Sequence, residues 1–345
     1  IACLLSGGLD SSLVTALVNE YHKKHNLPQL ETYSIGMEGS EDLKYAQKVA
    51  DYIGTKHTQV VVSEEDFVNA IPKVIYDIES YDTTTVRASV GNWLIAKYIS
   101  EHSEAKVIFN GDGADELMGG YLYMKEAGNC IEFDKECKRL LSNIHQFDVL
   151  RSDRCISSHG LEPRTPFLDR TWVNYYLSLP MKLRYSKERQ EKYLIRKAFD
   201  TEHYKNKEGR ELLPSDILWR RKEAFSDGVS NEKTTTRNII YKHIHSLDGD
   251  QQLASIFEDQ NIDNKEHILK LVKMFPETKH ITQLLPETLE QFYYRYVFEL
   301  HYKHCGKVLP YFWMPRYVNA QDSSARTLDI YNDDQETNYA ILPNA

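Results

Sequence analysis

The sequence predicts an α/β protein in which helices cover both faces of a parallel, twisted sheet, followed by a mostly helical second half. Over about the first 125 residues, short apolar runs typical of buried strands alternate with segments in which apolar residues recur at helical spacing. Such alternation favours a parallel sheet with crossover helices. Beyond that point the strand patterns fade, and long amphipathic stretches rich in Tyr, Leu, Lys and Glu indicate helices.

The predicted elements of the first half follow one another in a regular order. Residues 1–5 form an apolar run that ends in a glycine turn, and a segment of helical spacing follows from Leu13 to Tyr21. The remaining elements are the strand Glu31–Ile35, the helix Leu43–Ile53, the strand His57–Val62, the helix Val86–Ser100 and the strand Lys106–Phe109. In the second half, the polar segments Asn231–Arg237 and Leu247–Gln252 are predicted loops, and the residues from about Asp333 a loosely held tail.

The composition limits the classes of protein to which the chain can belong. Of its 345 residues, 41% are hydrophobic and 27% charged, as is usual for globular proteins. The formal charge of −9 argues against a general nucleic-acid binder, and no apolar run is long enough for a membrane span. The five cysteines form no CxxC pair, so free thiols in the cytoplasm are expected. Because the chain begins with Ile1 inside a predicted strand, we expect a piece of a longer polypeptide.

The loop after the first strand, Ser6–Ser11, is predicted to bind phosphate or pyrophosphate. Gly7 and Gly8 allow a sharp turn and a close approach to a ligand, and Ser6 and Ser11 add hydroxyl donors. The amides at the start of the following helix carry partial positive charge and favour an anion. A Walker-type loop would need a lysine beside the last serine, and this loop has none. The alternative is an ordinary strand–turn–helix connection with a glycine corner.

A second loop, which follows the strand ending at Phe109, is rich in carboxylates. Asp112, Asp115 and Glu116 lie within five residues. Because clustered carboxylates repel one another, a cation is expected there, and Mg²⁺ shared with nucleotide phosphates suits a site with few protein oxygens. Ligands of parallel sheets lie beyond the carboxyl ends of the strands, so Asp10 from the first loop could complete the site with Asp115. The alternative is a solvated acidic turn.

Together and in this order, these motifs resemble the synthetase domain of glutamine-dependent asparagine synthetases. The first is Ser6-Gly7-Gly8-Leu9-Asp10-Ser11, and the second is Gly111-Asp112-Gly113-Ala114-Asp115-Glu116-Leu117. The resemblance continues through Tyr81–Ser89, Arg151–Arg154, Gly160–Asp169, Ile217–Gly228, Tyr293–Arg295, Trp313–Arg316 and Asp322–Leu328. It implies the ATP-pyrophosphatase (PP-loop) superfamily and an adenine nucleotide alpha hydrolase-like fold. A single domain is then expected over 1–345, with a nucleotide-binding core over about 1–125, a helical part over about 126–332 and the tail over about 333–345.

The resemblance implies a ligase that converts aspartate to asparagine with ATP. The β-carboxylate of aspartate would attack the α-phosphate to give β-aspartyl-AMP and pyrophosphate, and ammonia would then displace AMP. Contacts with ATP or pyrophosphate are implied for Leu4, Ser6, Gly7, Gly8, Leu9, Asp10, Ser11, Ile35, Asn110 and Gly111, and magnesium ligation for Asp10 and Asp115. Catalytic roles are implied for Asp112, Lys222, Arg87, Thr84 and Thr85, and aspartate binding for Glu162, Arg164 and Asp169.

Several features depart from the family pattern. Asp112 stands where many members have Glu, which is one methylene longer, and Asn110 replaces a frequent Ser. Arg164 and Asp169 could equally form a structural ion pair. The amino-terminal glutaminase domain of the family is not found in this sequence, and Cys3 cannot replace its terminal cysteine because Cys3 lies within a strand. Ammonia would therefore be free or would come from a domain of a longer protein.

Two other functions stay open. A β-lactam-forming synthetase shares the adenylating fold. That branch has a Tyr-containing loop in place of the acidic motif, whereas this chain retains Asp112. An inactive nucleotide-binding module is left open by Asp112 and Asn110 and opposed by the intact Asp10, Asp115 and Lys222. The expected partners are ATP, Mg²⁺, aspartate, ammonia, a glutaminase domain of the full-length chain and a second copy in a homodimer, with neither nucleic acid nor membrane.

Overall fold

The fold is built on a parallel sheet of five strands. The computed structural model describes residues 1–206, 208–222, 236–246, 269, 272–320, 322 and 328. Its strands are β1 (Ala2–Leu4), β2 (Glu31–Gly36), β3 (Lys56–Val61), β4 (Val107–Phe109) and β5 (Glu162–Arg164). They lie in the order β3-β2-β1-β4-β5, and each neighbouring pair is parallel.

Helices surround the sheet and continue through the second half. The earlier ones are α1 (Leu9–Lys24), α2 (Glu41–Ile53), α3 (Glu64–Ile78), α4 (Thr83–His102), α5 (Ala114–Met118), α6 (Cys130–Asn143) and α7 (Asp148–Ser157). The later ones are α8 (Arg170–Ser178), α9 (Met181–Arg184), α10 (Tyr193–Ala198), α11 (Ser215–Leu218), α12 (Thr236–His245) and α13 (Leu289–His301). Short 3₁₀ helices cover Leu122–Glu126, Ile144–Gln146, Pro166–Leu168, Thr282–Leu284 and Gly306–Val308.

The two faces of the sheet carry different helices. The chain moves outward from β1 through α1 and α2 to β3 and then returns through α3 and α4 to β4. Because right-handed crossovers in opposite directions place their helices on opposite faces, α1 and α2 lie on one face and α4 on the other. Leu5 packs with α1 and α2, whereas Tyr33 and Ile35 pack with α4. The predicted fold class is confirmed.

The structure also contains elements that the sequence analysis did not predict. The strands and helices predicted in the first half are present with ends shifted by a few residues, but α3, α5 and β5 were not predicted, and α5 lies in the segment that was expected to be a carboxylate-rich loop. Strand β5 has three residues, contains Pro163 and pairs with β4 alone. Proline is tolerated on such an edge strand, so the usual strand pattern is missing. The helical half thus contributes one strand to the sheet.

Some predicted segments lie wholly or partly outside the described residues. Residues 231–235 of the predicted loop Asn231–Arg237 are among them, whereas Thr236 already begins α12. The predicted loop Leu247–Gln252 and the predicted tail from Asp333 also lie outside the described part. No helix in the described part is long and apolar enough to cross a membrane.

The strand order places a crevice beside β1. The chain visits β2 and β3 on one side of β1 and then crosses to β4 on its other side. The connections that leave β1 and β4 therefore diverge, and ligands of open parallel sheets bind in the crevice outside the carboxyl ends of such strands. This topology locates the candidate site.

Asp82 caps α4 near this site and is fully buried. Its Oδ2 accepts hydrogen bonds from Thr85 N and Thr85 Oγ1 at 2.9 and 2.8 Å, and its Oδ1 accepts one from Trp313 N at 2.7 Å. Burial raises the pKa of Asp82 to about 6, above the value of about 4 expected in the unfolded chain. The folded protein therefore binds this proton more tightly than the unfolded chain does.

This difference predicts a pH dependence of stability that Asp82→Asn removes. The contribution of Asp82 to the free energy of unfolding should be fully present below about pH 4 and decrease by about 3 kcal/mol as the pH rises through about 6. Asparagine keeps the cap but does not titrate. Urea unfolding of the wild type and the variant should therefore show a stability difference that changes between pH 4 and 7. A constant difference would contradict the prediction, and Asp153→Asn, at an exposed position on α7, is the control.

Candidate active site

A cavity lies at the carboxyl ends of β1, β2 and β4. Many of the residues singled out in the sequence line it, namely Leu4, Ser6, Gly8, Leu9, Asp10, Ser11, Ile35, Thr84, Asn110, Gly111, Asp112, Asp115 and Lys222. The loops after these strands and residues from the helical half therefore meet at one place. Apolar walls from β1, β2 and α4 adjoin polar loops, as is common in sites for small molecules.

The first loop is shaped by one glycine and two serines. Gly7 has a φ of +73°, and a Cβ there would lie 2.5 Å from the backbone of α2, so this close approach requires glycine. The Ser6 and Ser11 hydroxyl oxygens lie 3.0 Å apart, and Ser11 Oγ accepts a hydrogen bond from Ser6 N at 3.2 Å. Helix α1 begins after Gly8 without a side-chain cap. Its first amides, which lie at the cavity wall, are therefore suited to an anion.

Two carboxylates and two lysines form a charged cluster beside this loop. Lys192 Nζ lies 2.6 Å from both Asp10 Oδ2 and Asp115 Oδ1, and Lys222 Nζ lies 2.6 Å from Asp115 Oδ2. The Lys192 side chain is 1% exposed, and those of Asp10 and Asp115 are 14% and 15% exposed. The four residues come from α1, α5 and the segments that precede α10 and follow α11.

Within the cluster, the neighbouring charges favour the charged forms of Asp115 and Lys222. Burial alone would raise the pKa of Asp115, but Lys192 and Lys222 hold that pKa well below its usual range. Burial also opposes the charge of Lys222, yet Asp115 and Asp10 raise the pKa of the lysine above its usual value. Gly120 leaves room for the cluster, because a Cβ there would lie 1.9 Å from Asp115 Oδ1.

Asp10 and Asp115 are suited to binding a divalent cation. Asp10 Oδ1 is buried, and no hydrogen-bond partner for it occurs in the described structure. Across the described ranges, no group of three or more His, Cys, Asp or Glu residues forms a metal centre. Two carboxylates that line one cavity can bind Mg²⁺, which takes few protein oxygens and completes its shell with phosphates and water.

Helix α4 presents one face to the cavity and turns Arg87 away from it. The lining residues of α4 are Thr84, Ala88, Asn92 and Ile95, which share one side of a helix. Arg87 lies on a different side and is buried against α13, with Arg87 Nε 2.7 Å from Glu290 Oε1. Its Nη1 lies 2.8 Å from Asp322 Oδ1. Thr85 is bonded to Asp82, so of the three predicted catalytic residues on α4 the structure brings only Thr84 to the cavity.

Asp112 belongs to a second charged group, which it forms with α7. Arg151 Nη2 lies 3.3 Å from Asp112 Oδ1 and 3.6 Å from Asp148 Oδ1. Asn110 Nδ2 donates to Ser152 Oγ at 2.7 Å, and Asn110 Oδ1 accepts from Asp112 N at 3.2 Å. The amide that replaces a frequent Ser thus ties the Asp112 loop to α7.

Glu116 adds a buried carboxyl group to the same wall of the cavity. Burial, together with the negative charges of Asp148 and Asp115, raises the pKa of Glu116 well above its usual range. The Tyr121 hydroxyl donates a hydrogen bond to Glu116 Oε1. Both residues line the cavity. Glu116 therefore holds its proton more tightly than a solvent-exposed glutamate does.

The residues predicted to bind aspartate lie outside the cavity wall. Glu162 and Arg164 are exposed on the edge strand β5 and pair with each other, with Arg164 Nη2 2.6 Å from Glu162 Oε1. Asp169 caps α8, and its Oδ1 accepts from Thr171 N at 2.9 Å. The alternative ion pair of Arg164 with Asp169 is not formed either, because each has its own local partner.

Several residues that line the cavity have no role predicted from the sequence. Lys192, Asp148, Arg151 and Glu116 line the cavity. Arg151 and Glu116 belong to motifs that resemble the family pattern. Lys192, in contrast, is one of many charged residues in an amphipathic segment, and no local feature of the sequence distinguishes it. Only the folded chain places Lys192 beside Asp10.

Comparison with known proteins identifies the family of the chain. A family model described as asparagine synthase matches residues 1–132 and 128–273. The chain belongs to the asparagine synthase family. The resemblance noted in the sequence is thus confirmed for the family, and the two charged groups belong to an asparagine synthase domain.

Several curated relatives show the same similarity to this asparagine synthase chain. The asparagine synthetase (glutamine-hydrolyzing) of Gallus gallus is 44% identical over 332 residues, and those of Cricetulus griseus and Homo sapiens are each 43% identical. Each comparison covers 96% of this chain and 54% of the relative. The chain spans about half the length of the curated relatives it matches.

Proposed function

We propose that the protein converts L-aspartate to L-asparagine with ATP, through β-aspartyl-AMP, and releases AMP and pyrophosphate. One observation carries this proposal: a helix N-terminus suited to phosphate, a lysine–carboxylate cluster and the Asp112–Arg151 pair line one cavity. Adenylation of a carboxylate needs these three parts next to one another. The family membership and the names of the relatives support the same chemistry.

ATP fits the cavity with its phosphates on the first loop. The amides after Gly8 and the hydroxyls of Ser6 and Ser11 would bind the β- and γ-phosphates, which leave as pyrophosphate. Leu4 and Ile35 provide apolar surface for adenine. When bound to Asp10 and Asp115, Mg²⁺ would neutralise phosphate charge.

Lys222 is proposed to stabilise the charge that develops during adenylation. An oxygen of the aspartate β-carboxylate attacks the α-phosphorus, and the bond from this phosphorus to the bridging oxygen of pyrophosphate breaks. Negative charge then grows on phosphate oxygens, and a cation held at that position lowers the barrier. Lys222 is kept protonated by Asp115 and lines the cavity.

For aspartate we propose the wall that carries Arg151. The Arg151 side chain lines the cavity and is 11% exposed. It can therefore receive a substrate carboxylate, while Asp148 can receive the substrate ammonium group. Asp112 then lies where ammonia would attack the carbonyl carbon, and it can assist loss of the ammonia proton as AMP leaves.

The nitrogen donor and the cellular setting complete the proposal. The relatives named glutamine-hydrolyzing are about twice as long as this chain, which supports a glutaminase domain as the source of ammonia in the full-length protein. All five cysteines are free thiols, in agreement with a reducing compartment such as the cytoplasm. A homodimer is proposed on the family resemblance alone.

The reaction can be tested directly. The purified protein is incubated with ATP, Mg²⁺ and aspartate, with ammonium in one sample and glutamine in another, and asparagine, AMP and pyrophosphate are quantified together. We expect equal amounts of the three products with ammonium and none when aspartate is omitted. Absence of AMP under every condition would contradict the proposal. Pyrophosphate without asparagine would restrict it to the adenylation step.

A further inference from the structure

Lys192 occupies the space between the two carboxylates that are suited to Mg²⁺. Its Nζ lies 2.6 Å from one oxygen of Asp10 and 2.6 Å from one oxygen of Asp115. The backbone of Lys192 has a φ of +56°, which is uncommon for a lysine. A Cβ on Gly120 would lie 3.0 Å from Lys192 Cε, so the neighbouring glycine makes room for this side chain.

The backbone around Lys192 is held in place by a buried arginine. Arg196 is 1% exposed, and its Nε donates to Glu191 O at 2.9 Å. Arg196 Nη1 donates to Leu218 O at 2.6 Å, on the segment that leads to Lys222. One arginine thus holds the chain before both lysines of the cluster.

The cluster is electrically balanced as it stands. Asp10 and Asp115 contribute two negative charges, and Lys192 and Lys222 contribute two positive ones. A free divalent cation would therefore meet a pair of carboxylates that is already neutralised. ATP phosphates bring new negative charge to the first loop, and only then does an added cation find uncompensated anionic oxygens.

We propose that Lys192 is a positioning residue that makes divalent-cation binding depend on the nucleotide. It holds Asp10 and Asp115 close together without a metal and neutralises their charge, so the cation enters only with the phosphates. Asp10 Oδ1, which has no partner in the described structure, is the oxygen kept for that cation. This inference rests on the proposed function, because it needs ATP and Mg²⁺ to be the ligands of this cavity.

The test measures binding of Mn²⁺, as a probe for Mg²⁺, by electron paramagnetic resonance. Titrations are made with and without α,β-methylene-ATP, which cannot release pyrophosphate. The wild type should bind Mn²⁺ weakly alone and tightly with the nucleotide. Lys192→Met removes one positive charge with a side chain of similar length, so it should bind Mn²⁺ without nucleotide on the order of tenfold more tightly than the wild type.

Two further variants separate the charge of Lys192 from other effects. Lys192→Arg keeps the charge and should bind Mn²⁺ as weakly as the wild type without nucleotide. Lys187→Met removes an exposed lysine that pairs with Glu126 at 3.2 Å, and it should leave Mn²⁺ binding unchanged. The rise of the unfolding temperature with Mn²⁺ is a second readout, and circular dichroism checks the fold of each variant.

The outcomes distinguish this inference from the proposed function. If Lys192→Met folds and binds Mn²⁺ no more tightly than the wild type without nucleotide, the role of Lys192 is overturned. If the variant does not fold, the test relies on the wild type alone. Equally tight Mn²⁺ binding by the wild type with and without nucleotide would then overturn the inference. If the wild type binds Mn²⁺ in neither condition, the proposed function itself loses its metal site.

Discussion

Replacement of Lys222 by alanine should decrease aspartate-dependent pyrophosphate release by a factor on the order of a hundred to a thousand. Lys222 is the cation that the cavity offers to the phosphate oxygens as negative charge develops at the α-phosphorus. Alanine removes this charge, whereas the loop before it stays bonded through Arg196 Nη1 to Leu218 O. Asp115 also keeps Lys192 as a partner, so no carboxylate is left buried without a cation.

The measurement is the initial rate of pyrophosphate release with and without aspartate. The effect should appear in kcat more than in KM, since the lysine acts mainly when charge develops. Lys48→Ala is a matched control, because Lys48 is 50% exposed and pairs with Asp216 on the neighbouring helix α11. Near-normal release by Lys222→Ala would remove Lys222 from the catalytic machinery.

The sheet could be predicted from the sequence because its central strands are buried. Strands that are covered on both faces are short apolar runs, and the helices between them carry one apolar side, so both patterns are local. Strand β5 lacked this pattern because it is an edge strand that contains Pro163 and is largely exposed. Its place beside β4 depends on contacts between residues far apart in the chain, which no local pattern contains.

The candidate site could be predicted only where its residues lie shortly after a strand, in the loop or in the first turn of the helix that follows. Asp10 and Asp115 satisfy this condition, because the topology of a parallel sheet brings such loops together. Lys192 does not, since it precedes a short helix in the second half and reaches the carboxylates only through tertiary packing. The sequence also does not show which side of α4 faces the cavity. In the structure, Thr84 lines the cavity, whereas Arg87 contacts α13.

Asp112→Asn should keep ATP binding and lose most asparagine formation, by about a hundredfold. Asparagine has nearly the same shape, so the loop bonded through Asn110 Oδ1 to the backbone of residue 112 should keep its geometry. The substitution removes the negative charge beside Arg151 and the ability to take up a proton. Both are expected to matter when ammonia attacks the activated carbonyl, because the nitrogen must lose a proton as AMP leaves.

Two measurements show whether Asp112 acts in adenylation or in the attack by ammonia. Binding of ATP is followed by calorimetry, and asparagine and pyrophosphate are quantified in the same reaction. Pyrophosphate formation that exceeds asparagine formation would place the defect after adenylation, in the attack by ammonia. Asp153→Asn, exposed on the same helix as Arg151, should behave as the wild type. Unchanged asparagine formation by Asp112→Asn would instead make Asp112 a structural partner of Arg151, and the ammonia step would then require another proton acceptor.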